Sequence, residues 1–233
     1  MIWEHLDNYD SLSARAANLL LEAIREDPRI VLGLPTGRTP TGMYRRVVSE
    51  CAREYHCFRE VTTFNLDEYA GITRDHPGSY FMYMKENLFD HVDIDPARAN
   101  IPDGAAHDLQ RECVRYEEKI RLAGGLGLTF LGLGRNGHIA FNEPGTSFGS
   151  RTRVVELSES TRKANAPHFP DGNVPTHAIT MGIGTILDSK RIVLLAAGSG
   201  KQEAIERLRS REVDITFPAS ALWTHGNVHV LVA

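Results

Sequence analysis

The sequence predicts an α/β fold: a single-domain, Rossmann-like, mostly parallel sheet with helices on both faces. Three observations carry that prediction. Short β-type runs alternate with longer segments of helical spacing, the pattern of a sheet built by crossover connections. The runs Ile30–Leu34 and Ile192–Ala197 are continuously apolar rather than alternating, as strands covered on both faces are. No low-complexity stretch, internal repeat or Pro/Ser linker divides the chain, so residues 1–233 read as one domain.

The elements follow in order. Arg29–Leu34 is the first strand, and the roughly 28 residues before it leave room for one helix. Thr41–Tyr55 carries apolar residues at helical spacing, Val61–Leu66 is strand-like, and Ser79–Phe89 is a helix. A polar helix near Ala106–Leu122 precedes the apolar run Leu126–Leu133. Arg191–Ala197 and Lys201–Leu208 form a late strand–helix pair, and Val228–Val232 is a closing strand. The polar stretch from Phe148 to Val174, punctuated by Pro and Gly near its end, fits a mobile lid.

Composition narrows the function classes. Apolar content of 42%, charged content of 24% and a formal charge of −4 describe a folded chain and exclude a disordered one. No excess of Lys and Arg marks a nucleic-acid surface. The longest apolar run, Ile192 to Ala197, is far short of the ~20 residues of a membrane span. The N-terminus MIWEHLDNYD has no secretory character. Cys51, Cys57 and Cys113 form an odd set without a CxxC pair, against a disulfide framework or a zinc ribbon. The expectation is a soluble, reduced, cytoplasmic protein.

In a parallel sheet, ligands gather at the carboxyl ends of the strands. Thr36, Gly37, Arg38 and Thr39 follow the first strand and lead into a helix, as Gly198, Ser199, Gly200 and Lys201 follow the late one. Such loops aim free N–H groups and a helix dipole at an anion. The second is not a Walker A loop, since Gln202 stands where a magnesium-binding hydroxyl would. Two such loops, with Arg38 and Lys201 at hand, point to a small phosphorylated ligand. Asp67 and Glu68 leave the Val61–Leu66 run and put a carboxylate in reach of a carbon-bound proton.

Residues 132–137 match GxGxxG, but Asn142, Pro144 and Gly145 follow too soon for the helix a dinucleotide site needs. What remains is a loop carrying Asn136, His138 and Glu143, which reads as an oriented acid–base group. The other histidines are scattered, without metal-ligand spacing.

The strings LGLPTGRTP, FNLDEY, HPGSYFMYMKENLF, LGLGRNGHIAFNEPG, SRTRVVEL, STRKAN and GSGK occur in that order. Together they resemble the isomerising glucosamine-6-phosphate deaminases over nearly the whole chain. The related 6-phosphogluconolactonases share the fold, but a different string follows the histidine of their GH-containing loop. The resemblance implies conversion of glucosamine 6-phosphate and water to fructose 6-phosphate and ammonia, with no metal and no redox cofactor. It makes His138 the shuttle of the ring-oxygen proton, Glu143 its assistant, and Asp67 the base that moves a proton from C2 to C1. Asn136 stands where many members carry Asp; it can orient the imidazole but adds no charge.

The phosphate would fall to Thr36, Gly37, Arg38, Thr39, Arg162 and Lys201. Of the family's effector-binding groups Arg153 remains, whereas Val155 and Glu156 replace a Lys and a Thr. An unregulated enzyme is expected, as a monomer. A galactosamine 6-phosphate enzyme is the nearest rival. A sugar-phosphate sensor of the same fold would need a DNA-binding helix pair ahead of the first strand.

Overall fold

The structure, a computed structural model, describes residues 1–53, 57–169 and 172–233. Its main sheet has seven parallel strands: β1 (Ile2–His5), β2 (Val31–Leu34), β3 (Thr62–Asn65), β5 (Ala99–Asn100), β6 (Leu128–Gly132), β9 (Arg191–Ala196) and β10 (Val228–Val232). They lie in the order β1-β10-β9-β6-β2-β3-β5. A second, antiparallel sheet sets β8 (His177–Thr180) between β4 (Asp67–Tyr69) and β7 (Arg153–Glu156).

Alternate residues of the central strands serve opposite faces. Val193 and Leu195 of β9 join one core with Leu12, Leu20, Met43 and Val47, from α1 (Tyr9–Glu26) and α2 (Arg38–Cys51). Ile192 and Leu194 join the other core with Tyr116 and Ile120 of α4 (Leu109–Leu122). Ile186 of α6 (Ile183–Leu187) and Ile205 and Leu208 of α7 (Gln202–Arg209) complete it. Two more helices follow strands of the second sheet in the chain, α3 (Tyr80–Asn87), which packs against β4, and α5 (Glu159–Asn165). Beneath that sheet, Tyr69, Phe141, Leu157, Phe169 and Ala178 form a small core of their own.

The topology fixes where a ligand goes. From β2 the chain moves outward through β3 to β5; from β6 it moves the other way through β9 to β10. The order reverses between β2 and β6, and a crevice opens at the carboxyl ends of strands flanking such a reversal. The loops after β2, β6 and β9 meet there, while β3 passes through Leu66 into β4 and so links the two sheets.

The elements differ from expectation where local chemistry differs. The second helix starts at Arg38, three residues before the expected Thr41, because Pro40 in the first turn has no N–H to lose. The expected end of that helix, residues 54 and 55, lies outside the described residues. Ser79 and Asp108 are caps, their side chains accepting from the N–H of Met82 and of Arg111. The stretch expected to be a lid contains β7 and α5, and its residues 170 and 171 lie outside those described.

The expectation of three reduced cysteines is corrected: Cys51 and Cys57 form a disulfide, and only Cys113 is a free, buried thiol. The end of α2 brings the two Cα atoms to 5.5 Å, a bridging distance that a six-residue separation did not reveal. Among the described residues no helix is long and apolar enough to cross a membrane.

One glycine is fixed by packing against β4. A Cβ on Gly104 would lie 1.9 Å from the Tyr69 carbonyl oxygen, and the Gly71 N–H donates to Gly104 O at 2.7 Å. Gly104→Ala is expected to lower Tm by about 5 °C or more in a thermal melt; an unchanged Tm would show that β4 does not rest on this contact.

Candidate active site

Asp67 opens β4, directly beyond the point where the main sheet ends. It is 6% exposed, and no group among the described residues donates a hydrogen bond to it. Burial, and then the neighbouring Glu68, push its carboxyl up to about 8. Glu68 is as deeply buried but differently treated: it accepts from the backbone N–H of Tyr69 at 2.8 Å, Tyr80 at 2.9 Å and Phe81 at 3.0 Å. Burial raises it to about 7 while these donors pull the other way, so Glu68 is the more readily ionised of the pair. The two bonds from Tyr80 and Phe81 tie β4 to the first turn of α3. Asp67 is thereby held in place by its neighbour and its own carboxyl stays unengaged.

The loop after β6 builds a relay. His138 Nδ1 donates to Asn136 Oδ1 at 2.7 Å, and Asn136 Nδ2 donates to Glu143 Oε2 at 2.6 Å. The amide oxygen can only accept, so Nδ1 carries the proton and Nε2 keeps its lone pair. Glu143 Oε1 accepts from Thr161 Oγ1 at 2.8 Å, from the start of α5. Burial and then Lys201 hold His138 below its ordinary value, against the pull of Glu143. The imidazole is therefore neutral at pH 7 and ready to accept a proton at Nε2.

The glycines of this loop serve packing. A Cβ on Gly134 would stand 2.3 Å from His138 Nδ1, and one on Gly137, at φ 83°, would stand 2.1 Å from Phe217. The GxGxxG pattern thus seats a histidine and an aromatic ring, consistent with the rejection of a dinucleotide. Asn142 secures the far end by donating to the carbonyls of Ile139 at 2.9 Å and Met181 at 2.8 Å and accepting from Arg153 at 2.8 Å.

The loop after β2 places Thr36 and Gly37 ahead of α2, with Arg38 and Thr39 in its first turn. Gly37 (φ 103°) occupies the cap position without a side-chain cap, so the first N–H groups of the helix stay open to a ligand. Tyrosines fix the loop from behind. Tyr83 OH donates to Gly37 O at 2.7 Å, Tyr44 OH to Pro35 O at 2.6 Å, and Tyr9 OH accepts from the Gly42 N–H at 2.8 Å. On the other side of the crevice, Lys201 ends the turn after β9; burial and then Arg135 lower its pKa. Arg162 stands on α5 next to Thr161, its Nε buried without a partner.

The structure thus sets the predicted residues at four neighbouring strand ends, those of β9, β6, β2 and β3, and on the helix α5. Sequence reasoning missed the tyrosine scaffold, Thr161 on Glu143 and Arg135 beside Lys201. Tyrosines at helical spacing carry no signal of the carbonyls they hold. Among the described residues no group of three His, Cys, Asp or Glu side chains could hold a metal ion.

The model of the glucosamine-6-phosphate isomerases and 6-phosphogluconolactonases matches residues 7–231. The chain belongs to that family. It is 51% identical over 225 residues to glucosamine-6-phosphate deaminase 1 of Bacillus subtilis, covering 96% of this chain and 93% of the relative. A glucosamine-6-phosphate deaminase of Shouchella clausii is 49% identical over 228 residues, covering 97% and 92%. The solved structure of a monomeric glucosamine-6-phosphate deaminase matches with a TM-score of 0.97 at 49% identity, covering 100% and 97%. The 6-phosphogluconolactonase of Trypanosoma brucei, at 20% identity and a TM-score of 0.79, covering 99% and 95%, shares the fold alone.

The unpaired Asp67 carboxyl makes the site costly to keep. Its neutral form is the one the fold favours, so ionisation removes stability as pH rises from about 4, its unfolded value, through about 8. Asp67→Asn should match the parent in Tm near pH 4 and exceed it by about 5 °C or more at pH 9. A difference that stays constant with pH would contradict the assignment.

Proposed function

We propose that this protein converts glucosamine 6-phosphate and water to fructose 6-phosphate and ammonia, a hydrolytic deamination coupled to aldose–ketose isomerisation. The observation that carries this reading is a buried carboxyl without a partner, Asp67, at the same end of the sheet as a histidine whose tautomer Asn136 sets. A base for a carbon-bound proton and a separate group for an oxygen-bound one are what such a reaction requires. The names of relatives that are about half identical over nearly the whole chain support the same activity.

Thr36, Gly37, Arg38 and Thr39 receive the phosphate with Lys201 and Arg162, leaving the sugar over the loop after β6. His138 Nε2 accepts the anomeric hydroxyl proton and returns a proton to the ring oxygen as the ring opens. Asn136 and Glu143 keep the imidazole oriented through this exchange. In the open aldehyde the C2 proton is acidic; Asp67 takes it and delivers it to C1. Water then adds at C2 as ammonia leaves, which makes the net change a hydrolysis. No step calls for a metal or redox cofactor.

We extend the reading to a cytoplasmic monomer without an effector response. In its support, Arg153 is turned inward onto Asn142 and Thr146, and Glu156 is exposed where an anionic effector would meet like charge. The solved relative with a TM-score of 0.97 is itself monomeric.

Ammonia and fructose 6-phosphate should appear in equal amounts from glucosamine 6-phosphate, with hyperbolic kinetics indifferent to N-acetylglucosamine 6-phosphate. Asp67→Asn should abolish both products. Turnover of galactosamine 6-phosphate alone would reassign the sugar, and binding without turnover would favour a sensor.

Asp67 must be ionised to take the C2 proton, so kcat/KM should rise with pH through about 8. Glu68→Gln removes the adjacent like charge and should move that limb down by roughly half a unit or more. A limb that stays in place would separate Glu68 from the base.

A further inference from the structure

We infer that Arg135 is a second phosphate-binding cation of the crevice, acting with Lys201 on the 6-phosphate of the substrate. The inference rests on the function proposed above and adds to it a residue that none of the phosphate-loop motifs contains. Arg135 lies in the loop after β6, between the loops after β2 and β9. Its guanidinium covers the turn that leads into α7. A Cβ on Gly200 would stand 2.9 Å from Arg135 Nε and 3.1 Å from its Cζ and Nη2. The glycine at 200 is thus what lets the guanidinium settle on the backbone beside Lys201.

Two cations converge there without an anion. Among the described residues no carboxylate lies within 4 Å of Arg135 or Lys201, whereas Arg15, Arg29, Arg115, Arg121, Arg151 and Arg207 each have one. Lys201 is half-buried, and burial first, then the Arg135 charge, disfavours its protonated form. The start of α7 adds positive potential to the same spot. An arginine whose only partner was solvent would gain nothing by lying against a half-buried ammonium. A phosphate dianion reverses the balance, because it meets both charges at once and offers the guanidinium two oxygens in its own plane. Lys201 also acts on His138, so a phosphate held there leaves the sugar within reach of the histidine.

The test compares Arg135→Gln and Arg135→Lys with the parent protein, with inorganic phosphate as the probe. In thermal melts, inorganic phosphate should raise the Tm of the parent, leave Arg135→Gln nearly unmoved and give Arg135→Lys an intermediate rise. In steady-state assays, Arg135→Gln should raise KM for glucosamine 6-phosphate by about tenfold or more. Its kcat should change by less than about twofold, because the group that binds the phosphate takes no part in proton transfer. Equal phosphate-induced Tm rises in all three proteins, no rise in any, or a lost kcat at constant KM would overturn the inference. The melts do not depend on which sugar is turned over. A parent that releases no ammonia but shows the Arg135-dependent rise would therefore overturn the proposed reaction and leave the anion site standing.

Discussion

Burying a carboxyl group without a partner is the constraint from which the rest of this site follows. Left alone, Asp67 would be drawn toward water or toward an arginine, and either escape would remove the unengaged base. The second sheet prevents both. β4 is pinned by antiparallel pairing to β8, with Asp67 opposite Thr180, and by the Met181 N–H donating to Leu66 O at 2.7 Å. Glu68 spends its charge on the first turn of α3. The ordinary stabilising role of a carboxylate goes to the residue next door, and the one that has none is left free for the proposed chemistry.

The histidine is governed by the opposite device. Where Asp67 lacks partners, His138 has a chain of them through Asn136 and Glu143 to Thr161 on α5. An amide at 136 passes orientation along that chain without adding charge. The negative charge that would favour an imidazolium sits one residue further off, on Glu143, 4.0 Å from Nδ1. Burial outweighs it, with Lys201 adding to the same side. A neutral imidazole suits a group that must take and return a proton within one ring opening. Because Lys201 is also the proposed phosphate ligand, a bound dianion would offset the ammonium that depresses His138.

Much of this was legible in the sequence, and the residues that were not share a physical reason. Buried parallel strands such as Ile192–Ala196 announce themselves by continuous apolar runs, and the loops after them by glycine. The second sheet left little trace, because strands of three and four residues such as Asp67–Tyr69 have no room to show a period. β1 escaped for a related reason: it is an edge strand, with Ile2 largely exposed and no apolar run. Asp67, Asn136, His138 and Glu143 were proposed from their order along the chain, whereas Tyr9, Tyr83 and Arg135 lie against distant backbone and depend on tertiary contact. The Cys51–Cys57 bridge belongs with them, since a separation of six residues gives no sign that the two Cα atoms lie 5.5 Å apart.

The fold itself decides little about the reaction. A protein named as a 6-phosphogluconolactonase shares the fold at 20% identity, and a shared fold does not by itself select a reaction. An ester hydrolysis has no carbon-bound proton to move and no use for a buried, unpaired carboxyl. Keeping one costs stability at every pH where it ionises. A chain that nevertheless buries Asp67, and devotes β4, Glu68 and the start of α3 to holding it, fits the proposed transfer of a proton on carbon better than the hydrolysis of an ester.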